Sequence, residues 1–135
     1  MSLSDEERRI IVNRELEKAK RTFRDSVYNA NGGLWEATAN RLYYAIFHAV
    51  SALLIDDGFT VKSHRGIIAM FGEHYIKTGI FDKKHGSLLL DLVIMRDNAD
   101  YNCFFEADEE KIKPFIELAS DMIRKIENYI TANAC

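Results

Sequence analysis

The chain has 135 residues, 47% of them hydrophobic and 29% charged, with one proline and seven glycines. That suffices for one domain, residues 1–135, around a single core, and long irregular segments are not expected. The net charge of −3 argues against a generic basic nucleic-acid coat but leaves room for a local basic pocket. The cysteines, Cys103 and the terminal Cys135, form no motif and fit a reduced, cytoplasmic setting. The N-terminus is charged where a secretion signal would be apolar. The longest apolar run, about Leu42 to Ile55, is interrupted by Tyr43, Tyr44, His48 and Ser51, so no membrane span is expected.

In chain order the sequence reads as helices. Ser4-Asp5-Glu6-Glu7 is a capping box that opens the first. Val12, Leu16, Ala19, Phe23, Val27 and Ala30 then recur at spacings of four and three, one apolar stripe. Asn31-Gly32-Gly33 stops it. A second helix runs from about Leu34 to Ile55 and ends at Asp56-Asp57-Gly58; its latter half is apolar almost all round, which places it centrally or between subunits. A third, about His64 to Lys77, carries Ile67, Ile68, Phe71 and Tyr75 and ends at Gly79. A fourth runs from about Asp82 to Tyr101. Along it Leu88, Leu89, Leu90, Leu92, Val93, Ile94 and Met95 nearly encircle the axis, a surplus that predicts a two-fold dimer. The fifth starts near Asp108, with Pro114 requiring either a later start or a kink. The fold class is all-α, with helices over roughly three-quarters of the chain.

Three constellations carry chemistry. The first is Arg96-Asp97-Asn98-Ala99-Asp100-Tyr101, at the end of the fourth apolar run; Arg96 and Asp100 share a helix face and can pair. The second is a polar stripe on the second helix, Asn40, Tyr44, His48 and Ser51. It reads either as a hydrogen-bonded packing seam or as one wall of a polar cleft whose other wall is Arg96, Asp97 and Asp100. The third is Ser63-His64-Arg65-Gly66, at a helix start where free N–H groups favour anions; its plain alternative is an ordinary helix cap. No metal site is expected. Asp82-Lys83-Lys84-His85 supplies only one acid-x-x-His motif, and neither a HExxH nor a cysteine pair occurs. No cofactor loop of Walker or GxGxxG type is present.

Taken in combination, these residues resemble the HEPN domain family. The matching pieces are Asn40-Arg41-Leu42-Tyr43-Tyr44-Ala45-Ile46-Phe47-His48-Ala49, Lys62-Ser63-His64-Arg65-Gly66, the Phe71/Tyr75/Lys77/Gly79 spacing and Arg96-Asp97-Asn98-Ala99-Asp100-Tyr101. The resemblance spans about Asp5 to Ile130 and is closest to small, free-standing prokaryotic members. It implies a five-helix up-and-down bundle that dimerises. It also implies either a metal-independent ribonuclease with an Arg-x4-6-His motif or a nucleotide- or RNA-binding protein. Small members often pair with a minimal nucleotidyltransferase in toxin–antitoxin-like modules.

Carried onto this chain, Arg96 takes the arginine position and Asp97 the polar position after it. No histidine follows, since His85 is the last in the sequence; Asp100 and Tyr101 stand where one is expected. Histidine titrates near neutrality and serves as base and acid in metal-free RNA cleavage. Tyrosine, at an ordinary pKa of about 10, does not. Asp100 remains a candidate base, weakened if Arg96 lowers its pKa. The expected function is therefore nucleotide or RNA binding beside a nucleotidyltransferase. The candidate ligand-binding residues are Asn40, Tyr44, His48, His64, Arg96, Asp97 and Tyr101, with Tyr101 also a candidate modification target. The alternatives are a ribonuclease toxin using Arg96 and Asp100 with His48 or His64, and a structural dimerisation module. The sequence leaves open the ligand and whether the chain is toxin, antitoxin or neither.

Overall fold

The computed structural model describes residues 3–60 and 63–133; Lys62 and Cys135 lie outside the described residues. Helices hold 82% of the described residues and no strand occurs among them. The architecture is the expected all-α bundle with five helices.

Helix α1, Asp5–Asn31, opens on the capping box read from the sequence. Ser4 N donates to Glu7 Oε1 at 3.0 Å, and Glu7 N donates to Ser4 Oγ at 3.1 Å. These bonds hold the Glu7 carboxyl below the usual carboxylate range. The helix ends at Gly33, whose φ of 74° is a left-handed conformation that glycine takes without a Cβ penalty. Helix α2, Trp35–Asp56, returns antiparallel: Arg8, at the start of α1, donates from Nη1 to the carbonyl of Ile55 at the end of α2, 2.8 Å away. The same carbonyl also accepts from Gly58 N at 3.0 Å, so this last-turn acceptor is matched twice.

Helix α3, His64–Phe71, is capped by Ser63 Oγ accepting from Gly66 N at 2.9 Å. The sequence predicts one regular helix to about Lys77. Instead the last turn widens into a π-helical segment, Gly72–Ile76, in which Lys77 N reaches back to the Gly72 carbonyl at 2.9 Å. That turn places Tyr75 among Phe71, Phe81 and Tyr129 and lets its hydroxyl donate to Asp57. Packing and a buried hydroxyl's need for an acceptor prevail over regular geometry here. Helix α4 is Lys83–Tyr101 and α5 is Glu109–Asn133. Asp108 caps α5 through Oδ1, accepting from Lys111 N at 2.9 Å. Pro114 therefore falls inside α5, where it cannot donate to the Glu110 carbonyl.

The core is organised around α2. Twelve of its residues are buried, from Thr38 to Leu54, including Leu42, Ile46, Val50 and Leu53. It packs on α1, α3, α4 and α5, whereas α1 and α4 do not meet each other. The apolar circumference of α2 is thus used up within one chain. That of α4 is not: Leu88, Leu89 and Leu92 are buried, but Leu90 and Ile94 are 50% and 52% exposed. No helix among the described residues is long and apolar enough to cross a membrane.

Two stability predictions arise from this packing. Leu53→Ala, at a fully buried site, is expected to cost about 2–5 kcal/mol by the loss of packed methyl groups, read as a lowered midpoint in urea unfolding. His85 is buried on α4 with neither ring nitrogen hydrogen-bonded and with Asp121 3.8 Å away. Burial, then Lys125 and Lys84, hold its pKa below the ordinary histidine value. The unfolded chain therefore binds a proton that the folded chain resists. Stability is expected to fall as pH drops through the ordinary histidine range, about 6.5, and His85→Leu to flatten that slope. An unchanged slope in the variant would assign the acid sensitivity to other groups.

Candidate functional site

The site lies where the start of α2 crosses the end of α4. These helices are antiparallel neighbours, so Asn40 meets Asp100 and Tyr44 meets Arg96. Asn40 Nδ2 donates to Asp100 Oδ2 at 3.2 Å. Asn40 Oδ1 accepts from Arg41 Nε at 3.1 Å and Nη2 at 2.6 Å. Arg96 Nη1 donates to the Tyr44 hydroxyl at 3.2 Å, and its Nη2 lies 2.9 Å from Asp97 Oδ1. The third nitrogen, Nε, is buried without a hydrogen-bond partner. The Arg96 side chain is 16% exposed.

The sequence pairs Arg96 with Asp100 across one helical turn. In the structure Arg96 pairs with Asp97, while Asp100 turns to Asn40. The rotation is explained by aromatic rings. The guanidinium carbon sits 4.7 Å from the Tyr43 ring centre and 5.7 Å from that of Tyr44, a favourable placement for a cation against π faces. Burial opposes the charge on Arg96, but Asp97, then Tyr44, Tyr43 and Asp100 outweigh it and raise its pKa further. The cation is permanent, and only two of its nitrogens are committed.

His64, at the first position of α3, joins the same cluster through a residue that the sequence did not single out. Its Nδ1 lies 2.6 Å from the hydroxyl of Tyr43, and its ring lies over Phe47 with centres 4.2 Å apart. Tyr43 is buried, and that burial pushes its pKa up to about 12. Burial, then the charge of Arg96, then His48, hold His64 below the ordinary histidine value. The signal for Tyr43 was available: it is a hydroxyl on the buried face of an apolar helix, and such a group needs a partner.

The polar stripe on α2 does not stay on one wall. A helix advances about 100° per residue, so each step of four overshoots a full turn by about 40°. Asn40 and Tyr44 face α4. His48, a further step on, faces α1, where its Nδ1 lies 2.7 Å from Glu15 Oε2. Ser51 donates to the Phe47 carbonyl of its own helix at 2.8 Å. The stripe is part cleft and part packing seam. Tyr101 is 80% exposed, beyond the cluster.

A hollow of about 750 Å³ lies elsewhere, between α1 and α5 around Phe23, Pro114 and Ile116. Its charged rim, Glu109, Glu110, Lys113 and Glu117, is exposed. The ordered polar chemistry is at Arg96. Among the described residues no group of three or more His, Cys, Asp or Glu side chains is arranged to hold a metal ion.

This bundle, with an arginine–aspartate–tyrosine run closing its fourth helix, defines a class. A model of the HEPN domain matches residues 12–129, and the chain belongs to the HEPN family. Similar proteins include a UPF0332 protein of Thermotoga maritima, 35% identical over 70% of this chain and 71% of the relative. A Methanocaldococcus jannaschii protein named "Putative toxin MJ0605" is 31% identical, over 89% of this chain and 78% of its own. A UPF0332 protein of Archaeoglobus fulgidus is 28% identical over 87% of this chain and 94% of the relative.

The geometry separates a ligand site from a closed structural pair. Arg96→Ala is expected to change stability by no more than about 1 kcal/mol, because its partners are partly solvated and one donor is unmatched already. A closed buried pair would lose about 3–5 kcal/mol. Urea unfolding of the variant decides between them.

Proposed function

We propose that this HEPN protein binds nucleotide or RNA phosphate at Arg96 and acts as the partner of a minimal nucleotidyltransferase in a toxin–antitoxin-like module. The observation that carries the reading is the held guanidinium. Tyr44 and Asp97 fix its geometry from two nitrogens, and the second hydrogen on each remains free for phosphate oxygens. Tyr43 and Tyr44 flank the cation, and a base could stack on the exposed Tyr101 ring. The toxin naming of relatives in Methanocaldococcus jannaschii supports the module context.

The second reading is a metal-independent ribonuclease. It is favoured by His64, a titratable ring beside Arg96, and disfavoured by the absence of a histidine after Arg96 and by the engagement of Asp100 with Asn40. The third is a structural dimerisation module. For the dimer itself, α4 offers Leu90 and Ile94 on its outer face, with Tyr101 in line. Apolar side chains at i, i+4 and i+11 form one stripe that a second copy would cover.

Three outcomes are expected. Labelled oligoribonucleotide binds the wild type and loses at least about tenfold in affinity with Arg96→Ala, the scale of one charge-assisted contact; no binding, or binding unchanged in the variant, leaves only a structural role. Structured RNA incubated in EDTA is cut weakly or not at all; robust cleavage abolished by Arg96→Ala moves the assignment to the ribonuclease. Light scattering at micromolar concentration gives a dimer, and a monomer rejects the α4 interface.

A further inference from the structure

Arg96 is not the only group at this site able to meet a phosphate. His64 is exposed at the start of α3, and its ring is held on two sides: Phe47 stacks on it at 4.2 Å, and the Tyr43 hydroxyl meets Nδ1 at 2.6 Å. The second contact matches the buried Tyr43 hydroxyl and leaves the other ring nitrogen, Nε2, outside it.

The tautomer follows from the hydroxyl. Tyr43 is buried, and no other hydrogen bond is formed by its hydroxyl among the described residues. Among the described residues its one proton finds an acceptor only in His64 Nδ1, and a buried donor left unmatched is costly. The phenol is protonated at neutral pH, since burial pushes it up to about 12. Nδ1 is therefore an acceptor, and the ring proton sits on Nε2.

We infer that Tyr43 is a positioning residue that fixes the Nε2–H tautomer of His64, and that His64 is a second phosphate-contacting group beside Arg96, donating from Nε2 and gaining a proton as the phosphate binds. This rests on the phosphate reading of Arg96 and adds the proton linkage of that site.

The groups around His64 set the sign. Tyr43 and Tyr44 meet it from α2, His48 lies further along that helix with its Nδ1 on Glu15, and Arg96 flanks the Tyr43 ring from α4. Asp97 balances Arg96, and Glu15 of α1 pairs with His48. In the free protein, burial, then Arg96 and His48, disfavour the imidazolium. A phosphodiester between Arg96 and His64 reverses the balance by adding a negative charge that both can face. Protonation then turns Nδ1 into a donor toward the Tyr43 oxygen, and the Tyr43 proton loses its acceptor, a cost that the charge of the bound phosphate has to outweigh. His64's pKa is raised on binding, so the affinity gain is full below the free-state pKa and is lost as pH rises through the bound-state value.

The test uses a fluorescent uridine tetranucleotide, whose phosphodiesters keep their charge across the histidine range. Affinity is read by anisotropy between about pH 5.5 and about pH 8, with the histidine ring nitrogens followed by 15N NMR. The wild type is expected to bind about tenfold tighter at the acid end, the consequence of a one-unit rise in pKa on binding. His64→Gln, which can donate a neutral hydrogen bond but cannot gain a proton, should lose the pH slope. Tyr43→Phe preserves the ring and should let the Nδ1–H tautomer appear in the free protein. A slope that survives His64→Gln, or an Nδ1–H tautomer in the wild type, overturns this inference while binding that depends on Arg96 keeps the phosphate reading. Absence of binding at every pH overturns both.

Discussion

Helix α2 is apolar around nearly its whole circumference, and a helix of that kind has no solvent face to offer. Its side chains from Leu42 to Leu54 reach their favourable state only when other helices cover every side. Four helices do so, and their placement follows from that demand. Of the polar groups that remain on α2, Tyr43 is buried and Asn40, Tyr44 and His48 are half-buried, and each is matched from whichever helix covers it. Asn40 and Tyr44 are matched by α4, His48 by α1, and Tyr43 by the start of α3. The candidate site is thus a consequence of burial: it is where the polar remainder of the central helix finds its partners.

Around α2 the matching among the described residues is complete except at Arg96; away from it, His85 on α4 is also unmatched. Asp100 and Asn40 satisfy one another, as do His48 and Glu15. Arg96 spends one nitrogen on Tyr44 and one on Asp97 and leaves Nε buried without a partner. Two tyrosine faces flank the cation. An unmatched buried donor beside a fixed cation is a local cost that a purely structural pair has no reason to carry. No histidine follows Arg96 in the sequence, and His64, from a different helix, meets the hydroxyl of Tyr43, the tyrosine whose ring the guanidinium faces.

The contrast between α2 and α4 bears on assembly. Both read as surplus apolar surface in the sequence, and periodicity alone does not say whether neighbours lie in the same chain. Within the chain α2 is covered by four helices. Helix α4 retains Leu90 and Ile94 toward solvent, so of these two helices it is α4 that keeps apolar surface for a second copy.

Helix number, type and approximate ends were legible because they depend on neighbours a few residues away. The Ser4 and Ser63 caps and the Gly33 stop are local physics and appear where the sequence places them, whereas the α1 stripe shifts in its second half, where Thr22 and Ser26 are buried and Phe23, Val27 and Ala30 only half-buried. The resemblance carried by Asn40 to Ala49 and Arg96 to Tyr101 likewise needed only order along the chain. What the sequence did not determine is how each polar side chain is partnered. The widened turn at Gly72–Ile76 comes from Tyr75 reaching Asp57, a contact between two elements. Arg96 left Asp100 for Asp97 because the rings of Tyr43 and Tyr44 fixed its plane. His48 left the cleft because a helix rotates about 40° further with each step of four. Tyr43 joined His64 across a tertiary contact that no spacing encodes. Local propensity sets the elements; the partner of a buried polar group is chosen by whichever helix covers it, and that is decided only when the helices pack.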